Sequence, residues 1–203
     1  GQTMHQATSL NGAASSAEFD PFAGPSIEVV LTTTEPQREV WLADQMSCDA
    51  SLAFNEVLQI DFSGSLDVAA LSRAVDAVIA RHDSLRATIS SDGMDMLVAE
   101  ASPGVMIITD AAGDERVLAD ACSHAVETSF DLLAGPLFKA QLVKIDASRH
   151  TLLLAAHHVV CDGWSIGVVL RDLAAIYSGI VEGRVPELPA ADSFADHVES
   201  QAA

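Results

Sequence analysis

Residues 151–165 read Thr151-Leu152-Leu153-Leu154-Ala155-Ala156-His157-His158-Val159-Val160-Cys161-Asp162-Gly163-Trp164-Ser165. The first part is apolar at odd and even positions alike, the pattern of a strand buried on both faces. Ser165 can cap a helix in which Ile166, Val169, Leu170, Leu173, Ile176 and Tyr177 form a continuous apolar stripe, with Gly179 as the expected stop. Two histidines therefore stand where a buried strand ends and a helix is about to begin. Neighbouring side chains on an extended segment point to opposite faces, so one imidazole can line a cleft while the other packs into the body of the domain. Parity assigns the cleft to His158 and the core to His157. A cleft-facing imidazole is a candidate general base near neutral pH. The residues alone leave that role and a merely satisfied structural histidine both open. Adjacent histidines rarely chelate one ion, and no third ligand is suitably spaced, so no metal is expected. Asp162, followed by Gly163, falls where a tight turn must re-aim the chain. There it can hold an Arg or turn N–H groups and steady the loop that carries the histidines.

Working outward, Leu137 to Ile145 is a strand joined to the buried one by the turn Asp146-Ala147-Ser148-Arg149. Asp67 caps a helix through Val68, Leu71, Val75, Val78 and Ile79, which ends near Arg81-His82-Asp83. Leu85 to Ser90 and Met94 to Ala99 flank Asp92-Gly93, a hairpin signal. Phe54, Glu56, Leu58, Ile60 and Phe62 share one parity, a half-buried strand with one polar intruder, Glu56. Thr34-Glu35-Pro36-Gln37 carries helix-start chemistry, with Val40 and Trp41 following. Val105 to Thr109 reads as a short strand, and Asp114 to about Thr128 as a helix. The mixture lacks strict βαβ alternation, which predicts an α+β sandwich. Residues 1–25, rich in Ala, Ser and Gly and closed by Gly24-Pro25, read as a flexible linker. After Gly183 the chain becomes Pro-rich.

Lys plus Arg number 10 against 29 Asp plus Glu, a formal charge of −19. Such a field repels nucleic acid and anionic membrane surfaces. Cys48, Cys122 and Cys161 are odd in number and show no CxxC spacing, which suits reduced thiols in a cytoplasmic protein. No apolar run approaches the ~20 residues of a membrane span.

HHVVCDG, residues 157–163, resembles the HHxxxDG signature of nonribosomal peptide synthetase condensation domains at every fixed position. Three other segments resemble that family in its order. These are TEPQREVW at 34–41, RHDSLRATI at 81–89 and FDLLAGPL at 130–137. The second departs from the family pattern with Asp83 for Glu, Ala87 for Thr and Ile89 for Phe.

The resemblance implies a chloramphenicol acetyltransferase-like α+β sandwich, of which this chain supplies one lobe of two. Residues 26–183 would be the N-terminal lobe of a condensation domain. Residues 184–203, including Phe194-Ala195-Asp196-His197, would be the connector towards a C-terminal lobe. The implied reaction is amide formation, in which an acceptor aminoacyl thioester attacks a donor acyl or peptidyl thioester. His158 would act as base or orienting group, supported by His157, Asp162 and Gly163. Arg38, Arg81 and Arg86 would order the lobe. The implied partners are donor and acceptor carrier proteins, the C-terminal lobe and neighbouring synthetase domains. No cofactor is bound directly, because the phosphopantetheine arms belong to the carriers, and the lobe alone is expected to be inactive. An epimerization domain shares the signature, but Trp164-Ser165 after the Gly favours condensation. A heterocyclization domain would carry Asp in place of the paired histidines. A non-catalytic carrier-protein recruitment or docking module is the alternative from another class.

Overall fold

The computed structural model of the protein describes residues 3–11, 27–32, 35–46, 55–160, 166–186 and 188. The apolar run at 151–156 becomes the interior of β8 (Arg149–His157), the central strand of a five-stranded sheet. From Thr151 to His157 every residue of β8 is buried, as a strand covered on both faces requires. β8 pairs antiparallel with β7 (Phe138–Asp146) and with β3 (Asn55–Ser63). The turn between β7 and β8 is closed by Asp146, which accepts from the Ser148 N–H at 2.9 Å and from Arg149 Nε at 2.8 Å. β6 (Ile107–Asp110) adds to β7 in parallel, and the crossover between them is the helix α3 (Glu115–Glu127). β1 (Thr3–Asn11) completes the sheet antiparallel to β3, giving the order β1-β3-β8-β7-β6. A smaller antiparallel sheet has the order β2-β5-β4, with β2 (Ile27–Thr32), β4 (Ala87–Ile89) and β5 (Asp95–Ala99).

Helices cover the apolar rows. α2 (Val68–Arg81) begins where Asp67 accepts from the Ala70 N–H at 3.0 Å. It buries Leu71, Ala74, Val75, Val78 and Ile79 in one core with Ile60, Leu142, Leu152 and Leu154 of the sheet. Val169 and Leu173 of α4 (Ile166–Glu182) join the same core. On the opposite parity of β7, Val143 and Ile145 pack with Ala111 against Val117, Leu118 and Ala121 of α3. Cover on both faces is what lets β8 be apolar on both parities rather than on one.

α1 (Glu35–Met46) is tied to the small sheet. Its Gln37 is buried and donates to Met96 Sδ at 3.8 Å, and Trp41 lies over the Asp92-Gly93 turn. Gly93 has φ +74, and a Cβ there would meet Trp41 Cε3 at 2.5 Å, so both backbone and space demand glycine.

Among the described residues the structure departs from the sequence reading at Thr3–Asn11, at Ile27–Thr32, a strand the sequence reading did not assign, and at Gly179. Residues 1–25 are not a tether throughout, because Thr3–Asn11 forms an edge strand. Its polar composition shows no apolar alternation; the backbone ladder to β3 supplies the order instead. The helix α4 also runs past Gly179 to Glu182. Gly183, at φ +69, is the true stop, and the Arg184 N–H returns to the Gly179 carbonyl at 2.8 Å. Gly179 serves close approach, since a Cβ there would lie 2.8 Å from the Arg184 carbonyl oxygen. Thr34, Phe54 and Ser165 lie outside the described residues, as does nearly all of the expected connector.

Candidate active site

The two histidines meet opposite surroundings where β8 ends, His157 closing the strand and His158 opening the 3-10 turn that follows. His157 is the last residue of the strand and has 0% exposure. Its N–H donates to the Leu137 carbonyl at 3.0 Å, and its Nδ1 accepts from the Val159 N–H at 3.1 Å. The second bond closes the 3-10 turn His158–Val160 on the ring of the preceding residue. Phe130, from the FDLLAGPL segment, packs edge-on against the His157 ring at 6.2 Å and 85°. Lys139 lies 5.3 Å from the Phe130 centroid, and burial pulls its ammonium below the ordinary lysine value. That segment thus braces the buried histidine.

His158 opens outward, with 53% of its side chain exposed. Its Nδ1 lies 3.3 Å from Oε1 of Glu56, the polar intruder of β3, whose side chain is 41% exposed. The strand register explains the meeting. Asn55 faces His157 and Glu56 faces Ala156 across the β3–β8 ladder, so Glu56 shares the side of the sheet that His158 takes. Asn55 itself is buried, and its two amide atoms have no partner among the described residues. An imidazole half in solvent at the end of the central strand, with one nitrogen beside a carboxylate, can accept or relay a proton.

The remaining expected site residues separate. Asp162 and Gly163 lie outside the described residues. Arg86 donates to the carbonyls of Ile79 at 3.2 Å and Ala99 at 2.6 Å, linking α2 to β5. Arg81 Nε pairs with Asp172 at 3.0 Å. Arg38 is half-buried on α1. Two acidic residues escape a reading of the sequence alone. Asp172 on α4 has 0% exposure and accepts from His82 Nε2 at 2.7 Å. Burial raises its carboxyl, but hydrogen bonds from His82, Arg81 and Arg171 outweigh that and hold it below the ordinary 3.8. Its one signal is an acid beside Leu173 in an otherwise apolar stripe. Glu56 gives the same kind of signal in β3.

Among the described residues, no group of three His, Cys, Asp or Glu side chains could hold a metal ion. No described helix is long and apolar enough to cross a membrane.

Helices packed on a mixed sheet, a parallel crossover at its edge and paired histidines at the end of its central strand define the chloramphenicol acetyltransferase-like class, here as one lobe. The starter condensation domain of rhizomide synthetase RzmA superposes with a TM-score of 0.74 at 25% identity, over 86% of this chain and 44% of that one. The condensation domain family model matches residues 27–203, and the chain belongs to that family. Among curated relatives, the chondramide synthase cmdD of Chondromyces crocatus is 35% identical over 162 residues, 76% of this chain and 4% of its own length. The dimodular nonribosomal peptide synthase of Bacillus subtilis (strain 168) is 36% identical over 166 residues, 79% of this chain and 7% of its own. The chain thus spans a small fraction of these relatives and under half of the matching structure.

Proposed function

We propose that the chain is the N-terminal part of a condensation domain that forms an amide bond between two carrier-bound substrates. The acceptor amine attacks the donor thioester carbonyl, the C–N bond forms and the C–S bond breaks. His158 takes or orients the amine proton, and the donor arm leaves as a thiol. The observation that carries this reading is the exposed His158 imidazole, held at the end of β8 by its buried neighbour. His157 supports the turn that carries His158. Family membership and relatives that are peptide synthases support the substrate class. Both substrates arrive on phosphopantetheine arms of donor and acceptor carrier proteins, so the domain needs no cofactor of its own. The site is completed by a C-terminal lobe, and the setting is the cytosol.

The test is His158→Ala in the full synthetase, with product followed by mass spectrometry. Amide formation falls about 10²–10⁴-fold while carrier loading stays intact, the usual size of a proton-transfer contribution. Unchanged product release rules out the chemical role. The 203-residue chain alone, mixed with loaded carriers, gives no product above the no-enzyme control. Positioning is worth ~7–11 kcal/mol in well-oriented cases, and a single wall does not hold two arms in line. Turnover comparable to an intact domain would sink the half-site reading.

A further inference from the structure

We propose that Glu56 is a positioning residue for His158, selecting the imidazole tautomer that leaves Nε2 bare to accept a proton; this rests on the reading of His158 given above. Three observations converge on it. Glu56 Oε1 lies 3.3 Å from His158 Nδ1, and an ionised carboxylate only accepts, so the contact places the proton on Nδ1. A neutral imidazole carries a single N–H, and Nε2 is then the lone-pair nitrogen. The second observation is where Glu56 sits. It heads a row of β3 whose next members on the same parity, Leu58, Ile60 and Phe62, are all buried. A carboxylate there breaks the pattern of the strand, and the register with β8 delivers it to the side of His158. The third is the contrast with the adjacent ring. Val159 N–H donates to His157 Nδ1, so the His157 proton sits on Nε2. Consecutive histidines are thereby held as opposite tautomers, one by a main-chain donor and the other by a side-chain acceptor. An acid that fixes a catalytic or ligating imidazole through its second nitrogen both orients the ring and strengthens the free nitrogen as a base.

An exposed pair of this kind adds little to stability. Removing the carboxylate therefore reads out on tautomer and turnover rather than on folding. Nitrogen-15 NMR of the histidine rings in the 203-residue chain tests the first part, at a pH well above the ordinary imidazole pKa of about 6.5. The wild type shows His158 protonated on Nδ1 and His157 on Nε2. In Glu56→Ala, His158 moves towards the Nε2–H form that free imidazole side chains favour, His157 is unchanged, and thermal melting stays where it was. Glu56→Gln keeps an acceptor oxygen and retains part of the Nδ1–H population. In the full synthetase, Glu56→Ala lowers kcat for amide formation roughly 10–100-fold with KM for both loaded carriers unchanged.

A His158 ring already in the Nε2–H form in the wild type overturns the proposal. So does a ring whose tautomer ignores Glu56→Ala. If His158→Ala is inactive and Glu56→Ala is fully active, the positioning role alone fails. If His158→Ala itself keeps full amide formation, the catalytic reading fails and takes the positioning role with it.

Discussion

Two imidazole–carboxylate pairs among the described residues are built from the same chemistry and stand in opposite surroundings. His82 and Asp172 meet at 2.7 Å, with side chains 6% and 0% exposed, at the seam between α2 and α4. His158 and Glu56 meet at 3.3 Å with roughly half of each side chain in solvent. The first pair is closed, because Arg81 and Arg171 also reach Asp172 and leave no approach for a substrate. Burial makes the His82–Asp172 contact strong and indispensable, since a desolvated charge must keep its partners. Exposure makes the His158–Glu56 contact weak in stability and available for chemistry. The proposed chemistry accordingly falls on the loosely held histidine, not on the tightly held one.

The largest effect that would break this contrast is at Asp172. Asp172→Ala leaves Arg81 and His82 without their buried anion and lowers stability by about 3–5 kcal/mol in urea unfolding. A loss below about 1 kcal/mol would mean the seam is not held by this carboxylate. Gly179→Ala tests the same helix at its far end. The Cβ must displace the Arg184 carbonyl or Pro186, and the net loss is about 1 kcal/mol after the better helix propensity of Ala is credited. An unchanged or raised melting temperature would show that the return of the chain at Arg184 is dispensable.

Acid sharpens the comparison further. Asp172 is held below its ordinary 3.8, so its contribution is fully present above that value and is lost as pH falls below it through the lower folded pKa. Asp146, exposed at a turn, is pulled down to about 2, chiefly by Arg149, and titrates in the same region in every variant. The informative quantity is therefore the difference between wild type and Asp172→Asn. The gap in stability between them narrows as pH falls below ~4. A gap that persists unchanged into strong acid would contradict the ionised, hydrogen-bonded state of Asp172. The smallest effect belongs to the other pair. Glu56→Ala changes stability by less than about 1 kcal/mol by the same urea measurement. A loss on the scale of Asp172→Ala would erase the distinction between the two pairs.

Much of this organisation is legible in local pattern. The apolar run of Thr151 to Ala156 announces a strand with both faces covered. The spacing of Leu71, Val75, Val78 and Ile79 announces α2, and Asp67 its start. Asp92-Gly93 marks the hairpin between β4 and β5. Alternation along the strand predicts the separation of His157 from His158, and the 3-10 turn that starts at His158 keeps it. These features are readable because they depend on residues a few positions apart. Local signals mislead where they compete with a distant contact. Gly179 has the look of a helix stop, yet its bare α-carbon admits the returning chain at Arg184 and Pro186. Thr3–Asn11 has the composition of a linker, and its order comes from pairing with β3.

Local order along the chain therefore dictates most of the helices and central strands, the contrast between the two histidines and the four segments that resemble the family. Three-dimensional packing alone chooses which acid each histidine meets. Glu56 and His158 are 102 positions apart, and His82 and Asp172 are 90 apart. No periodicity spans such distances, because each meeting depends on how elements are placed against one another. The antiparallel register of β3 on β8 brings Glu56 to His158. The packing of α2 on α4 brings His82 to Asp172. Register and helix packing are set by the whole buried core at once, so the two pairs are written in the chain but become readable only in the fold.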